Sequence, residues 1–490
     1  MTTTGGRVHR IYSVVVFIVL ASLDNVAVGL VPPLYGSIAD SFDVPLGLVG
    51  TVTATSFLVS AIASVAWAYY GDRGNRKPLL MIGTLLWAAG MTGSAVAGNY
   101  LLFFVSQVAA AVGLGAVSSV GFSVVSDLIK PKRRGLVMSL WGLSQGIGTF
   151  LGTGLGGILG AADWRRPFVV LSAVGLIATV AYFFTYDIRR GQSDPELAGT
   201  IAEGHEYDYR ISVKSLPAIV HRRTNVWLIL QGLPAQIAFG SLVWLPVLFR
   251  ERAISQGYPE DTAIIVGSIF ATMFQLGGAL SILGGMLGDK LQRRTLRGRA
   301  LVASVGVLAA VPLYVVLFFL PFKIDVPVNA GTGEVVLSAL GSVVTEPSVG
   351  ITFLIAIIAL AMTSANSPNW FALIADVNPP EYRGTVYSLG NLTNGVGRAA
   401  GNGLIPVAFA LLASRYASPL NYSVGLAAFQ LFFVPTGIMY WLASRTSPRD
   451  ISGLHKLLED RAEVTARNPI DESRDQTNSE AGHIDKPNSR

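Results

Sequence analysis

Long apolar runs with few charges, separated by short polar stretches, set the pattern of this chain. A helix of roughly 20 such residues spans a hydrocarbon core of about 30 Å. About twelve runs meet that criterion: 11–36, 46–70, 78–98, 100–126, 136–160, 167–187, 225–249, 262–288, 299–321, 350–374, 385–413 and 419–443. The pattern predicts an all-α membrane protein with about twelve transmembrane helices. The first run follows Arg7 and Arg10 but is longer than a signal-peptide core, lacks a clear small-residue cleavage site and is closely followed by another span. It therefore reads as a retained helix.

The polar stretches divide the chain. Residues 188–224, rich in Asp, Glu, Tyr and Arg as in Glu206-Tyr207-Asp208-Tyr209-Arg210, separate a unit at 1–187 from one at 225–443. Ser212 to His221 could lie along the membrane surface as a short helix. Residues 322–349 form the largest loop on their side, and 444–490 is a polar tail suited to disorder. Within that tail, Ile451, Leu454, Leu457 and Leu458 could form one amphipathic turn.

The two units echo each other. Asp127 to Leu155 is written again at Asp376 to Leu404, with Pro131 and Pro380, then Arg134-Gly135 and Arg383-Gly384, then Val137, Ser139 and Leu140 against Val386, Ser388 and Leu389. Gly146, Gly148, Gly152 and Gly154 answer Gly395, Gly397, Gly401 and Gly403. Glycine at such intervals lets helix backbones approach closely, which matters where lipid offers helices no hydrophobic reason to associate. A weaker echo sets Gly71-Asp72-Arg73-Gly74-Asn75-Arg76-Lys77 against Gly285, Asp289, Lys290, Arg293 and Arg294. The expected architecture is a pair of related bundles, each of about six helices, meeting around a shared midplane site.

Composition agrees: 51% of the 490 residues are hydrophobic, only 13% are charged, and the mean hydropathy is +0.52, which excludes an ordinary soluble domain. The net charge of +6 is explained by topology rather than nucleic acid. Bases crowd alternate loops, at Arg73 to Lys77, Lys130 to Arg134, Arg189 to Arg223 and Lys290 to Arg299, whereas the intervening loops are acidic or sparsely charged; Arg165 and Arg166 are exceptions. This bias predicts a multi-pass cell-membrane protein with both termini cytoplasmic. There is no cysteine, and hence no disulfide, thiol chemistry or thiolate metal site. No phosphate-binding loop or His-rich metal motif is present, so no cofactor, ATP coupling or metal is expected.

Charges inside apolar runs are the candidate chemistry. Asp24, beside Asn25, is a carboxylate where burial favours the protonated form, which suits proton coupling; the alternative is an acid in an aqueous cavity bonded to its neighbours. Arg398 stands where the first copy of the repeat has Thr149, so the duplication itself does not require a base. Its guanidinium suits an anionic solute or, equally, an ion pair with an acid such as Asp24. Gln145, Asn369 and Asn394 are polar groups that could line a pathway or bond neighbouring helices. Asp72, Arg73, Arg76, Lys77, Arg134, Asp289, Arg293, Arg294 and Arg383 lie at helix ends and could bias a two-state gate, or simply anchor topology.

The Asp72 loop and its echo resemble the signature of the major facilitator superfamily, G-x-x-x-D-R-x-G-R-[RK]. Asp72, Arg73, Arg76 and Lys77 are kept, with Ala68 at the first glycine position and Asn75 at the second. The resemblance extends over residues 11–443 and implies the major facilitator fold, two six-helix bundles of a secondary transporter working by alternating access. Gly71 to Lys77, Asp24-Asn25, and Asn369-Trp370 with Asp376 are similar to spinster-type lipid transporters. Those proteins usually carry an arginine and a glutamate in helix four, where this chain has residues such as Gln107, Ala109 and Ala116. Gly148, Gly152, Gly156 and Gly157 resemble the antiporter pattern G-x-x-x-G-P-x-x-G-G, with Thr153 at the proline. The function so implied is transport of a small organic or amphipathic, candidate anionic, solute, with protons as a candidate coupling ion and membrane lipids as partners. A multidrug or metabolite efflux antiporter and a non-transporting receptor on a carrier fold are the alternatives.

Overall fold

The computed structural model describes residues 4–73, 75–121, 147–185, 216–327, 330–378 and 380–467. The first half of the chain holds α1 (Thr4–Leu30), α2 (Tyr35–Phe42), α3 (Leu46–Arg73), α4 (Arg76–Ala95), α5 (Tyr100–Ala116), α6 (Ile147–Gly160) and α7 (Arg166–Phe183). The second half begins with α8 (Leu216–His221), α9 (Arg223–Leu230), α10 (Gly232–Ser241), α11 (Leu245–Ile254), α12 (Glu260–Phe274), α13 (Leu276–Ala279) and α14 (Ser281–Gln292). It continues through α15 (Gly298–Phe319), α16 (Thr332–Thr345), α17 (Pro347–Ser364), α18 (Asn366–Val377), α19 (Pro380–Ala413), α20 (Leu420–Gln430) and α21 (Phe433–Arg467).

Several of these are segments of one broken rod, and proline explains four of the breaks. A proline ring collides with the carbonyl four residues back and cannot donate to it. Pro234, Pro246, Pro368 and Pro435 each follow a break at that spacing: α9 ends at Leu230, a short 3-10 turn begins at Leu242, α17 ends at Ser364, and Leu431 separates α20 from α21. Joined across these breaks, the described residues contain 10 helical spans long and apolar enough to cross a membrane. The 27-residue α1 and the shorter apolar α6 are consistent with the expected twelve. Leu101, Ile177, Val305 and Leu411 are each more than 60% exposed, an apolar exterior that only lipid makes favourable.

Two stretches are more ordered than hydropathy implied. The 322–349 loop carries α16, which buries Val335 and Ala339. Past Ser444, α21 runs on to Arg467, with Ile451 and Leu454 buried. Both runs are short and amphipathic, so a window tuned to whole membrane spans passes over them. The helix expected near Ser212 to His221 is present as α8, anchored by buried Ile219.

Candidate functional site at the seam between the halves

The repeated glycines sort into two sets. Gly152 faces the backbone carbonyl of Val26 on α1, and its counterpart Gly401 faces that of Ile237 on α10; a Cβ at either position would collide with the carbonyl. Two residues further on, the contacts cross the molecule. Gly154 faces Thr272 of α12, and its counterpart Gly403 faces Ala54 of α3, with the Cβ position 3.7 Å from the Thr272 hydroxyl oxygen and 3.2 Å from the Ala54 methyl. One glycine of each pair packs the helix into its own half and the other lays it against the opposite half, as the duplication implied.

One end of this seam is closed. Gly50 of α3 accommodates the ring of Trp244, which is fully buried. Trp244 donates from Nε1 to Asn402 Oδ1 at 2.6 Å and packs on Tyr35 with ring centroids 4.6 Å apart. Tyr35 in turn donates to Thr53 Oγ1 at 2.8 Å. Nearby, Gly36 lies under Arg250, its Cβ position 3.1 Å from the guanidinium carbon. Arg250 is held by Glu251 at 2.7 Å and by Glu260. Gly157 of α6 meets Ser268 of α12 in the same region. Aromatic and small residues interlock here, and none of these contacts could survive separation of the helices by a water layer.

Deeper along the seam, Gly395 meets Ala61, and between that level and the Ala54 level lies Arg398. Its guanidinium sits over the ring of Phe57, 4.8 Å from the centroid. Phe57 belongs to the first half and Arg398 to the second, so this cation–π contact bridges them well inside the apolar span.

At the opposite end of the second half, charge replaces aromatic packing. Arg299, at the start of α15, donates to Asp289 of α14 at 2.9 Å and to Asp376 of α18. Gln292 also donates to Asp376, at 3.3 Å. Three helix ends are thereby tied by one guanidinium whose side chain is only 18% exposed. In the first half Lys77 donates to the carbonyl of Thr185 at 2.5 Å and lies over Phe183, while Arg76 is buried at the start of α4.

The expected site residues therefore fall in different places. Arg398 lies on the seam. Asn394 is one turn away but packs against Gly232 of α10. Asn369 is buried and donates to the carbonyls of Gly284 at 3.1 Å and Ala365 at 2.8 Å, holding α18 to α14. Asn25 is half-buried on α1, Arg293 and Arg294 follow α14, and Asp289 joins the Arg299 network. Gln145 and Arg134 lie outside the described residues, and of Asp24, Asp72, Arg73 and Arg383 only the helical backbone is described. Sequence reasoning missed Trp244, Tyr35 and Asn402 as a closing cluster and Arg299 as the hub of a network. Asp376 carried a signal, since it heads the repeated segment, whereas Arg299 was one base among several in its loop.

Repeated glycine contacts, a seam closed at one end and charged ties at helix ends define a two-part helical membrane fold. The chain belongs to the Major Facilitator Superfamily, whose profile matches residues 15–402. It is 27% identical over 293 residues to a Sphingosine-1-phosphate transporter SPNS2 of Xenopus tropicalis, covering 56% of this chain and 53% of that protein. To Protein spinster homolog 3 of Homo sapiens it is 27% identical over 320 residues, 61% of this chain and 60% of that one. The chain thus spans somewhat over half the length of these curated relatives. A crystal structure of a bacterial homologue of the human lysosomal transporter Spinster, inward-facing and occupied, superposes with a TM-score of 0.67 at 18% identity, over 90% of this chain and 98% of that one. At that identity the likeness is one of fold.

Proposed function

We propose that this chain is a secondary transporter that moves a small amphipathic solute bearing an anionic group, by alternating access about the seam. The units at 1–187 and 225–443 are the two bodies that rock, and Arg398 is the contact for the anion. One observation carries this: a guanidinium held across the seam on Phe57, mid-span, where an ionisable side chain marks a functional site by default. The name of the Xenopus relative, a transporter of a phosphate-bearing lipid, supports an anionic amphipath as the class to test first.

The basic loops support a cell-membrane protein with both termini in the cytoplasm. The closed Tyr35–Trp244 end then faces outward, which supports reading this conformation as inward-facing. The Asp289–Arg299–Asp376 network and the Asp72 loop act as gating ties, and Asp24 is the proton-coupling carboxylate.

Uptake into proteoliposomes tests the whole. Lysophosphatidate and sphingosine phosphate should be transported by the wild type and not by Arg398→Ala, while an uncharged dye should distinguish multidrug efflux. Binding of the lipid without transport would indicate a receptor instead. Transport by Asp24→Asn with unchanged dependence on external pH would remove the coupling role.

A further inference from the structure

A buried cation also lies away from the seam. Arg252, in the last turn of α11, is 7% exposed. One guanidinium nitrogen donates to the Phe318 carbonyl at 2.7 Å and approaches the Ser423 hydroxyl at 3.4 Å. The group lies near the rings of Phe249 and Phe322, at 6.0 and 5.7 Å. Among the described residues no carboxylate reaches it within ion-pair distance; Glu251 and Glu260 are both engaged by Arg250. A buried cation satisfied only by neutral groups and aromatic faces keeps most of its desolvation cost.

Arg252 lines a cavity of about 300 Å³ at the junction of α11, α15 and α20. Its lining is divided. Ser255, Gln256 and Ser423 supply polar groups, while Phe319 and Leu420 form an apolar rim, 48% and 44% exposed. Gln256 is fixed by bonds to the Phe322 carbonyl at 3.0 Å and from the Ile324 amide at 2.9 Å, so the polar wall is built by the fold. The N-terminal end of the 11-residue α20 borders the cavity and adds positive potential.

We propose that this cavity binds a phosphate-bearing group, with Arg252 as its counter-charge and Ser423 as a hydroxyl partner. A phospholipid entering from the bilayer would lay its chain over Phe319 and Leu420, whereas free phosphate would use only the polar wall. Either way the site is separate from Arg398, which is not among its lining residues.

The experiment titrates the purified full-length chain in detergent with short-chain phosphatidate, with inorganic phosphate and with uncharged diacylglycerol, reading dissociation constants from thermal shift. Wild-type protein should bind phosphatidate, and Arg252→Gln should weaken it at least tenfold. Leu420→Trp, which fills the mouth from an exposed position, should do the same without removing the charge, and stands as the test if Arg252→Gln fails to fold. Arg398→Ala should retain this binding. Equal binding of inorganic phosphate identifies a soluble anion, and phosphatidate alone identifies a lipid site. The proposal is overturned if neither phosphate compound binds, if diacylglycerol binds as well as phosphatidate, if Leu420→Trp binds normally, or if Arg398→Ala abolishes the binding.

Discussion

The two copies of the repeated segment share their packing and differ in their chemistry. Gly152 and Gly401 bring α6 and α19 onto α1 and α10, and Gly154 and Gly403 lay the same helices against the opposite half. Yet where one copy carries Thr149, the other carries Arg398, over Phe57. A backbone contact tolerates almost no change on either side, so duplication preserved it. A side chain facing the seam is free to diverge, and there the two copies carry different side chains.

The largest effect should come from Gly401→Val and Gly152→Val, whose side chains would enter the space of the Ile237 and Val26 carbonyls. Overpacking of this kind costs about 1–3 kcal/mol or more, and both variants should show reduced folded yield by fluorescence-detected size exclusion. If only one suffered, the two contacts would not be equivalent. Arg398→Ala should come next. It should weaken an anionic solute at least about tenfold, equivalent to ~1.4 kcal/mol, while leaving the melting temperature near wild type, as read by thermal shift. A loss of stability that matched the loss of affinity would make Arg398 a packing residue like its glycine neighbours.

A third comparison sets the charged ties of the second half against the closed end of the seam. Arg299→Gln leaves Asp376, only 26% exposed, with the longer Gln292 bond alone, and should cost about 1–3 kcal/mol in thermal stability. Asp289→Asn, at the more exposed 59% partner, should cost less than about 1 kcal/mol. At the closed end, Gly36→Leu would wedge against Arg250. Cysteine-accessibility labelling near Tyr35 should increase in that variant, and unchanged labelling would show that this end closes without the Gly36 contact. The smallest effect belongs to Gly154→Ala. Its Cβ would meet Thr272 at 3.7 Å, an ordinary van der Waals distance, so transport and stability should stay close to wild type, the methyl gaining up to about 1 kcal/mol in helix propensity. A large loss there would mean that α6 and α12 approach more closely during the cycle.

The membrane spans, the duplicated segment and the close-packing role of its glycines were legible in the sequence, because hydropathy, repetition and residue size are local properties. Prolines stand four residues after the breaks in rods such as α9–α10 and α17–α18, but Pro312, Pro406 and Pro448 lie inside continuous helices, so the breaks themselves were decided by the tertiary structure. Partners were a different matter. Nothing in the apolar run around Leu242 or Leu58 distinguishes a face that meets lipid from one that meets another helix, because both surroundings are equally apolar. Only the tertiary structure decided that Trp244 closes on Tyr35 and Gly50, that Asn369 serves its own half, and that one loop base, Arg299, ties Asp289 to Asp376. Those contacts join residues distant along the chain, and their energies depend on distance and direction, which a linear pattern does not contain.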